Sequence, residues 1–105
     1  MNAIIRGTTP TITFTFDSVD PADFVDHCLT IKSVTDLNTA IIQTSNATID
    51  TGTLSYTLAQ VQTLALTAGD TVNVYCDWLT TGGVRGRSVV ATCRVFETGK
   101  DEVMV

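Results

Sequence analysis

Residues Thr11-Ile12-Thr13-Phe14-Thr15-Phe16 alternate strictly between hydroxyl and apolar side chains. In an extended chain this sends Ile12, Phe14 and Phe16 to one face and three threonines to the other, a period of two that a helix cannot satisfy. The same pattern recurs along the chain. His27 to Val34 places His27, Leu29 and Ile31 opposite Cys28, Thr30 and Lys32, and Thr71 to Leu79 places Val72, Val74, Cys76 and Trp78 opposite Asn73, Tyr75 and Asp77. Threonine makes up about a fifth of the residues and joins many Val and Ile positions, a composition that suits half-buried pleated surfaces. A chain of 105 residues, 44% hydrophobic and 16% charged, is the size of one domain with its own core.

Turn residues divide the remainder. Pro10 cannot donate to a ladder, so Ile4 to Thr9 reads as a separate edge segment or a strand that changes sheets. Asp17 to Asp26 is an acidic loop containing Pro21. Thr35-Asp36-Leu37-Asn38 turns the chain into a strand over Thr39 to Gln43, and Ala47-Thr48-Ile49 and Thr53 to Leu58 flank a further turn. After Leu58 the period changes: Val61, Leu64 and Ala65 fall at helical spacing, with Gly69 where a helix of one or two turns would be capped. Thr81-Gly82-Gly83 then turns the chain, and Ser88 to Glu97 returns with Val89, Ala91, Cys93 and Val95 inward. These segments predict an all-β, immunoglobulin-like antiparallel β-sandwich of six to seven strands with one short helical crossover. It forms a single domain over 1–105, with arms at 1–9 and 98–105.

Charge and composition argue against several functions. A net charge of −5 with no run of Lys or Arg offers no field for phosphate backbones, so nucleic acid is not an expected partner. No stretch has the length or apolarity of a membrane span, and Met1 to Gly7 lacks the apolar run of a signal peptide, so the expectation is a protein made in a cytosol. Three cysteines, Cys28, Cys76 and Cys93, cannot all pair within one chain. Asn46-Ala47-Thr48 spells a glycosylation sequon, which has no meaning without secretion.

Four features invite chemistry. Asp50-Thr51-Gly52 is the triplet that carries the carboxylate of aspartic proteases, which work as paired Asp side chains sharing a proton. Here Thr53 follows it mid-chain, and a hairpin turn with Gly at positive φ explains it better. His27 with the cysteines suggests a metal or thiol site, but no metal-ligand spacing is present, and adjacent His27 and Cys28 point to opposite faces of a strand. Gly82 to Ser88 is glycine-rich and basic yet lacks the lysine and following helix of a phosphate loop; Arg85 and Arg87 are read as exposed at a hairpin tip, open to a partner. Trp78 lies on an apolar face and is expected in the core, with Tyr75 the only aromatic opposite it as a platform for sugar. No cofactor is expected.

Ile5-Arg6-Gly7-Thr8-Thr9-Pro10 leading into the 11–16 strand, Leu29-Thr30-Ile31-Lys32, Leu54-Ser55-Tyr56-Thr57-Leu58 before Thr63-Leu64-Ala65-Leu66, and Trp78 before a glycine turn come in an order that resembles a family of small tailed-phage structural proteins. The family is itself similar to the N-terminal domain of phage baseplate upper proteins. The resemblance runs through most of the chain and implies an immunoglobulin-like sandwich used as a building block of a virion, on the capsid surface, neck or baseplate. The chain departs from the family where Ala59, Gln60, Val61 and Gln62 replace a Thr cap with a Glu in the first helical turn, a loss of about 1 kcal/mol for the helix.

The expectation is therefore a non-enzymatic virion protein, made in the bacterial host cytoplasm, whose partners are other virion proteins and its own copies. Edge strands and terminal arms would hold it. Ile4, Ile5, Val103 and Met104, apolar and near the termini, are candidate contacts, with Arg6, Arg85 and Arg87 beside them. The alternative is a module that binds a cell-surface glycan through the loops at Asp17 to Asp26 and Gly82 to Arg87; a dimeric aspartic protease using Asp50 comes last.

Overall fold

The computed structural model describes residues 3–88, 90–99 and 102–104. Among them, nine strands, against the six to seven expected, form two sheets that pack face to face, the all-β sandwich that the alternation predicts. The larger sheet contains β1 (Ala3–Ile5), β3 (Phe24–Ser33), β4 (Asp36–Thr44), β7 (Thr71–Thr80), β8 (Arg85–Arg87) and β9 (Ala91–Phe96), ordered β1-β9-β7-β3-β4 with β8 alongside the far end of β7. The smaller contains β2 (Thr11–Thr15), β6 (Thr53–Thr57) and β5 (Ala47–Asp50), ordered β2-β6-β5.

Between the layers the inward residues of both sheets interlock: Leu29, Ile31, Val72, Val74 and Cys76 from the larger against Ile12, Leu54 and Tyr56 from the smaller. On the outside of the smaller sheet the threonines pair across strands, Thr11 with Thr57 at 2.9 Å and Thr13 with Ser55 at 3.0 Å between hydroxyl oxygens. One strip of alternation thus builds a greasy face and a hydroxyl face at once.

The chain changes sheets at Pro10, as its missing N–H suggests. Before it, β1 lies parallel to β9, Ala3 opposite Arg94 and Ile5 opposite Phe96, while the other pairings among the described residues are antiparallel. This corrects the expectation of Ile4 as a partner contact near the terminus. It sits opposite Val95, is 1% exposed and belongs to the core, because a three-residue strand at a sheet edge still alternates and turns its middle residue inward.

Four other expectations are adjusted. The acidic loop is shorter than Asp17–Asp26: a 3-10 turn at Pro21–Asp23, capped by the Asp20 carboxylate accepting from the Ala22 N–H, hands the chain to β3 at Phe24. Gly69 does not cap the helix. Helix α1 (Gln60–Leu64) ends at Ala65, and Gly69, at φ +84°, serves the turn into β7. At the other end of α1 the Gln62 side chain accepts the Ala59 N–H at 2.8 Å, supplying one half of the cap that a Thr would have completed. The return strand is broken: β8 pairs with Asp77–Leu79 and β9 with Thr71–Val74, and between them Ser88 bonds Cys76 through both its N–H and its hydroxyl. Val89, expected inward, lies outside the described residues. Ala91 does pair with Val74 on the inner side, yet it is exposed.

Candidate functional site

Strand alternation decides what each candidate residue can do. On β1 and β9 it turns Ile5 and Phe96 outward together, side by side in parallel register, and each is 49% exposed. Ile5 sits on β1, the edge strand of the larger sheet among the described residues, and Phe96 on β9 beside it. Phe96 was not among the residues picked from the sequence, although its position, out of phase with inward Cys93 and Val95, was enough to place it on the outer face.

Arg6 follows Ile5 but is not a free surface charge. Its Nε donates to the Leu66 carbonyl at 2.7 Å, one Nη to the Leu64 carbonyl at 2.9 Å and the other to Glu97 at 2.7 Å. The guanidinium thereby satisfies carbonyls at the C-terminal end of α1, where helices leave acceptors without partners. The Thr98 N–H and the Arg6 guanidinium hold the Glu97 carboxyl below its ordinary range. The expected role of Arg6 as a partner contact is thus replaced by one inside the chain. Val103 and Met104 are both exposed, Met104 at 62%, but the arm is tethered: Gln60 accepts the Met104 N–H at 2.6 Å and donates to its carbonyl at 3.1 Å.

Arg85 and Arg87 lie in β8 rather than at the hairpin tip, which is formed by 81–84. Arg85 is exposed. Arg87 bonds Asp77 at 3.0 Å and lies 4.5 Å from the Tyr75 ring centroid, with the Lys32 ammonium 6.0 Å from the same ring. Tyr75 is therefore roofed by cations and buried, which removes it as an open platform for a sugar ring. Beside it, the outer face of the larger sheet carries a shallow groove of about 320 Å³ whose polar wall is Asp26, Thr30, Gln43, Asp77 and Arg85. The two loops expected to act together do meet nearby, the Thr81 N–H donating to the Asp23 carbonyl at 2.9 Å.

The remaining chemical candidates resolve into structure. Asp50-Thr51-Gly52 is the β5–β6 hairpin turn, with the Asp50 carboxylate accepting the Thr51 N–H at 2.7 Å and Gly52 at φ +70°. His27 Nδ1 shares a 2.7 Å hydrogen bond with the hydroxyl of fully buried Tyr56, and Cys28 faces the other way. Burial raises the Tyr56 hydroxyl and pushes the Cys76 thiol up to about 11. Trp78 takes the inward place foreseen for it, stacked on Phe24 at 5.6 Å and edge-on to Phe16 at 5.1 Å. Among the described residues no three His, Cys, Asp or Glu side chains gather where an ion could be held. No described helix is long and apolar enough to cross a membrane.

No protein-family model matches the chain, and no curated protein matches it.

Proposed function

We propose that the chain is a non-enzymatic structural module of a bacteriophage virion, held on the capsid surface, neck or baseplate by other virion proteins. One observation carries the attachment part of this reading: the exposed pair formed by Ile5 on edge strand β1 and Phe96 on β9 next to it. An edge strand with an apolar pair beside it is a surface that a monomer must cover or blunt, and a partner strand or loop covers it most simply. The virion setting rests on the ordered resemblance of Ile5 to Pro10, Leu29 to Lys32, Leu54 to Leu58 and Trp78 to the small tailed-phage proteins.

The test is incorporation. Ile5→Glu and Phe96→Glu, combined, leave the core intact because both side chains point outward, and they should sharply reduce the copies of the protein per purified particle, counted by mass spectrometry. Unchanged copy number with both charges in place would reject attachment through this edge, and absence of the wild-type chain from particles would reject the virion reading.

A second reading, glycan adhesion, draws on the outer-face groove, where Asp26, Gln43, Asp77 and Arg85 offer the carboxylates, amide and cation that bind sugar hydroxyls. A glycan array with wild type and Gln43→Ala decides it: binding that the substitution removes supports adhesion, and a blank array rejects it.

A further inference from the structure

Strand parity sorts the charged side chains of the larger sheet. Lys32 lies between inward Ile31 and Ser33, opposite Asn73, and Arg94 lies between inward Cys93 and Val95, opposite Thr71. Arg85 and Arg87 flank Gly86, whose inner side meets the Trp78 indole. All four therefore stand on the outer face. They are four of the six Lys and Arg side chains in the sequence. Along β7 they come in order, Arg85 beside Leu79, Arg87 beside Asp77, Lys32 beside Asn73 and Arg94 beside Thr71. Eight residues of strand make this a run of roughly 26 Å. Asp26 and Asp77 share the face, and Arg87 holds Asp77 at 3.0 Å, whereas Lys32, Arg85 and Arg94 form no ion pair among the described residues.

The opposite sign gathers where β2 ends. Asp17 follows Phe16, whose N–H donates to the Gly52 carbonyl at 2.9 Å, which sets it near the turn that begins at Asp50. The 3-10 turn that carries Asp23, with Asp20 as its cap, packs on β5, the strand that ends in Asp50. All four carboxylates are exposed, and none is ion-paired among the described residues. Asp20 and Asp50 accept N–H groups of their own turns, while the side chains of Asp17 and Asp23 accept nothing there.

We propose that the outer face of the larger sheet docks the acidic end, residues 17–23 and Asp50, of a second copy of the chain, so that copies join head to tail. Charge complementarity selects this occupant: the two surfaces belong to one molecule, attract each other and repel their own kind, which favours end on face over a two-fold pair. The net charge of −5 opposes contact only weakly, because salt at about 0.15 M screens charges farther apart than about 8 Å. Exposed ion pairs are individually weak, so the contact needs several at once and forms where copies are concentrated. Since different patches meet, each bound copy keeps one surface free, and assembly continues past the dimer. Neither Ile5 nor Phe96 is required, and the contact stands whether or not the chain belongs to a virion.

The test is self-association of the full chain, followed by amide NMR and translational diffusion from micromolar to millimolar protein in low and in high salt. Amides at Lys32, Arg85 and Arg87 and amides over 17–23 should shift together with concentration, and high salt should reverse both. Lys32→Glu with Arg85→Glu, or Asp17→Lys with Asp23→Lys, should weaken association at least about tenfold while the amide spectrum remains folded. The second pair lowers the net negative charge, so general repulsion alone would predict tighter association, not weaker. A mixture of the two variants should associate again, because one brings an intact acidic end and the other an intact basic face. No concentration dependence at millimolar protein in low salt, association that high salt leaves intact, or a mixture that behaves as its separate parts would each overturn the proposal. Shifts confined to Ile5 and Phe96 would overturn it in favour of an apolar edge contact. Face amides that answer to added polyglutamate but not to the protein's own concentration would overturn it by making a foreign acidic polymer the occupant.

Discussion

Gly86 lies directly against the indole of Trp78, its cross-strand partner, so closely that a Cβ there would overlap the six-membered ring. The glycine between Arg85 and Arg87, which looks in sequence like part of a flexible basic loop, is a packing surface for the largest side chain in the protein. Trp78 cannot retreat, because Phe24 stacks on it and Phe16 meets it edge-on.

Gly86→Ala should therefore destabilise the fold by about 1–3 kcal/mol, the usual range for forcing added volume into a packed site. Denaturant unfolding followed by tryptophan emission reads both the shift in midpoint and the disturbed indole. Gly83→Ala is the comparison: nothing lies near its added Cβ, so its cost comes only from φ +81° and should be about 1 kcal/mol.

Arg6→Met should cost about 1–3 kcal/mol by leaving part-buried carbonyls of Leu64 and Leu66 without their donor. Arg6→Lys should recover only part of this, since an ammonium cannot reach both carbonyls and Glu97 as the planar fork does. Thermal melts of the three proteins rank them.

Glu97 has its carboxyl depressed in the folded state, so its contribution is present above the ordinary carboxylate range and is lost as pH falls through the lowered value. A carbon-detected NMR titration should show Glu97 titrating below an ordinary glutamate, and Arg6→Met should move it back toward the ordinary value without reaching it, because the Thr98 N–H remains.

Cys76 behaves in the opposite direction. Both states hold its proton below the ordinary value of 9.0; as pH rises from there toward about 11 the unfolded chain releases it first, and stability falls. In the native protein Cys76 and Cys93 should resist alkylation near pH 8 while the less buried Cys28 reacts, as peptide mass spectrometry after brief iodoacetamide treatment would show.

The alternation of Thr11 to Phe16, Leu29 to Ile31 and Val72 to Trp78 made most of the sandwich legible, because side-chain period and burial are tied directly in a two-layer fold. What stayed hidden depended on partners distant in sequence. Ile4 looked like part of a loose arm because nothing local says that Val95 lies beside it. Arg6 looked available because its acceptors are some sixty residues away. Gly69 stood a few residues beyond a helix, and only the backbone shows that it serves the next turn. Of the candidate contacts, Ile5 was visible as an apolar residue near a terminus, whereas its companion Phe96 needed the parallel register.

The parallel pairing of β1 with β9 has a mechanical meaning. The chain enters along β1 and leaves along β9 in the same direction, so tension between its two ends pulls these neighbours lengthwise past each other. Their hydrogen bonds are then strained together, as in a lap joint, instead of opening one after another like a zip. Drawing Ile4 out from beside Val95 would expose the core in the same event.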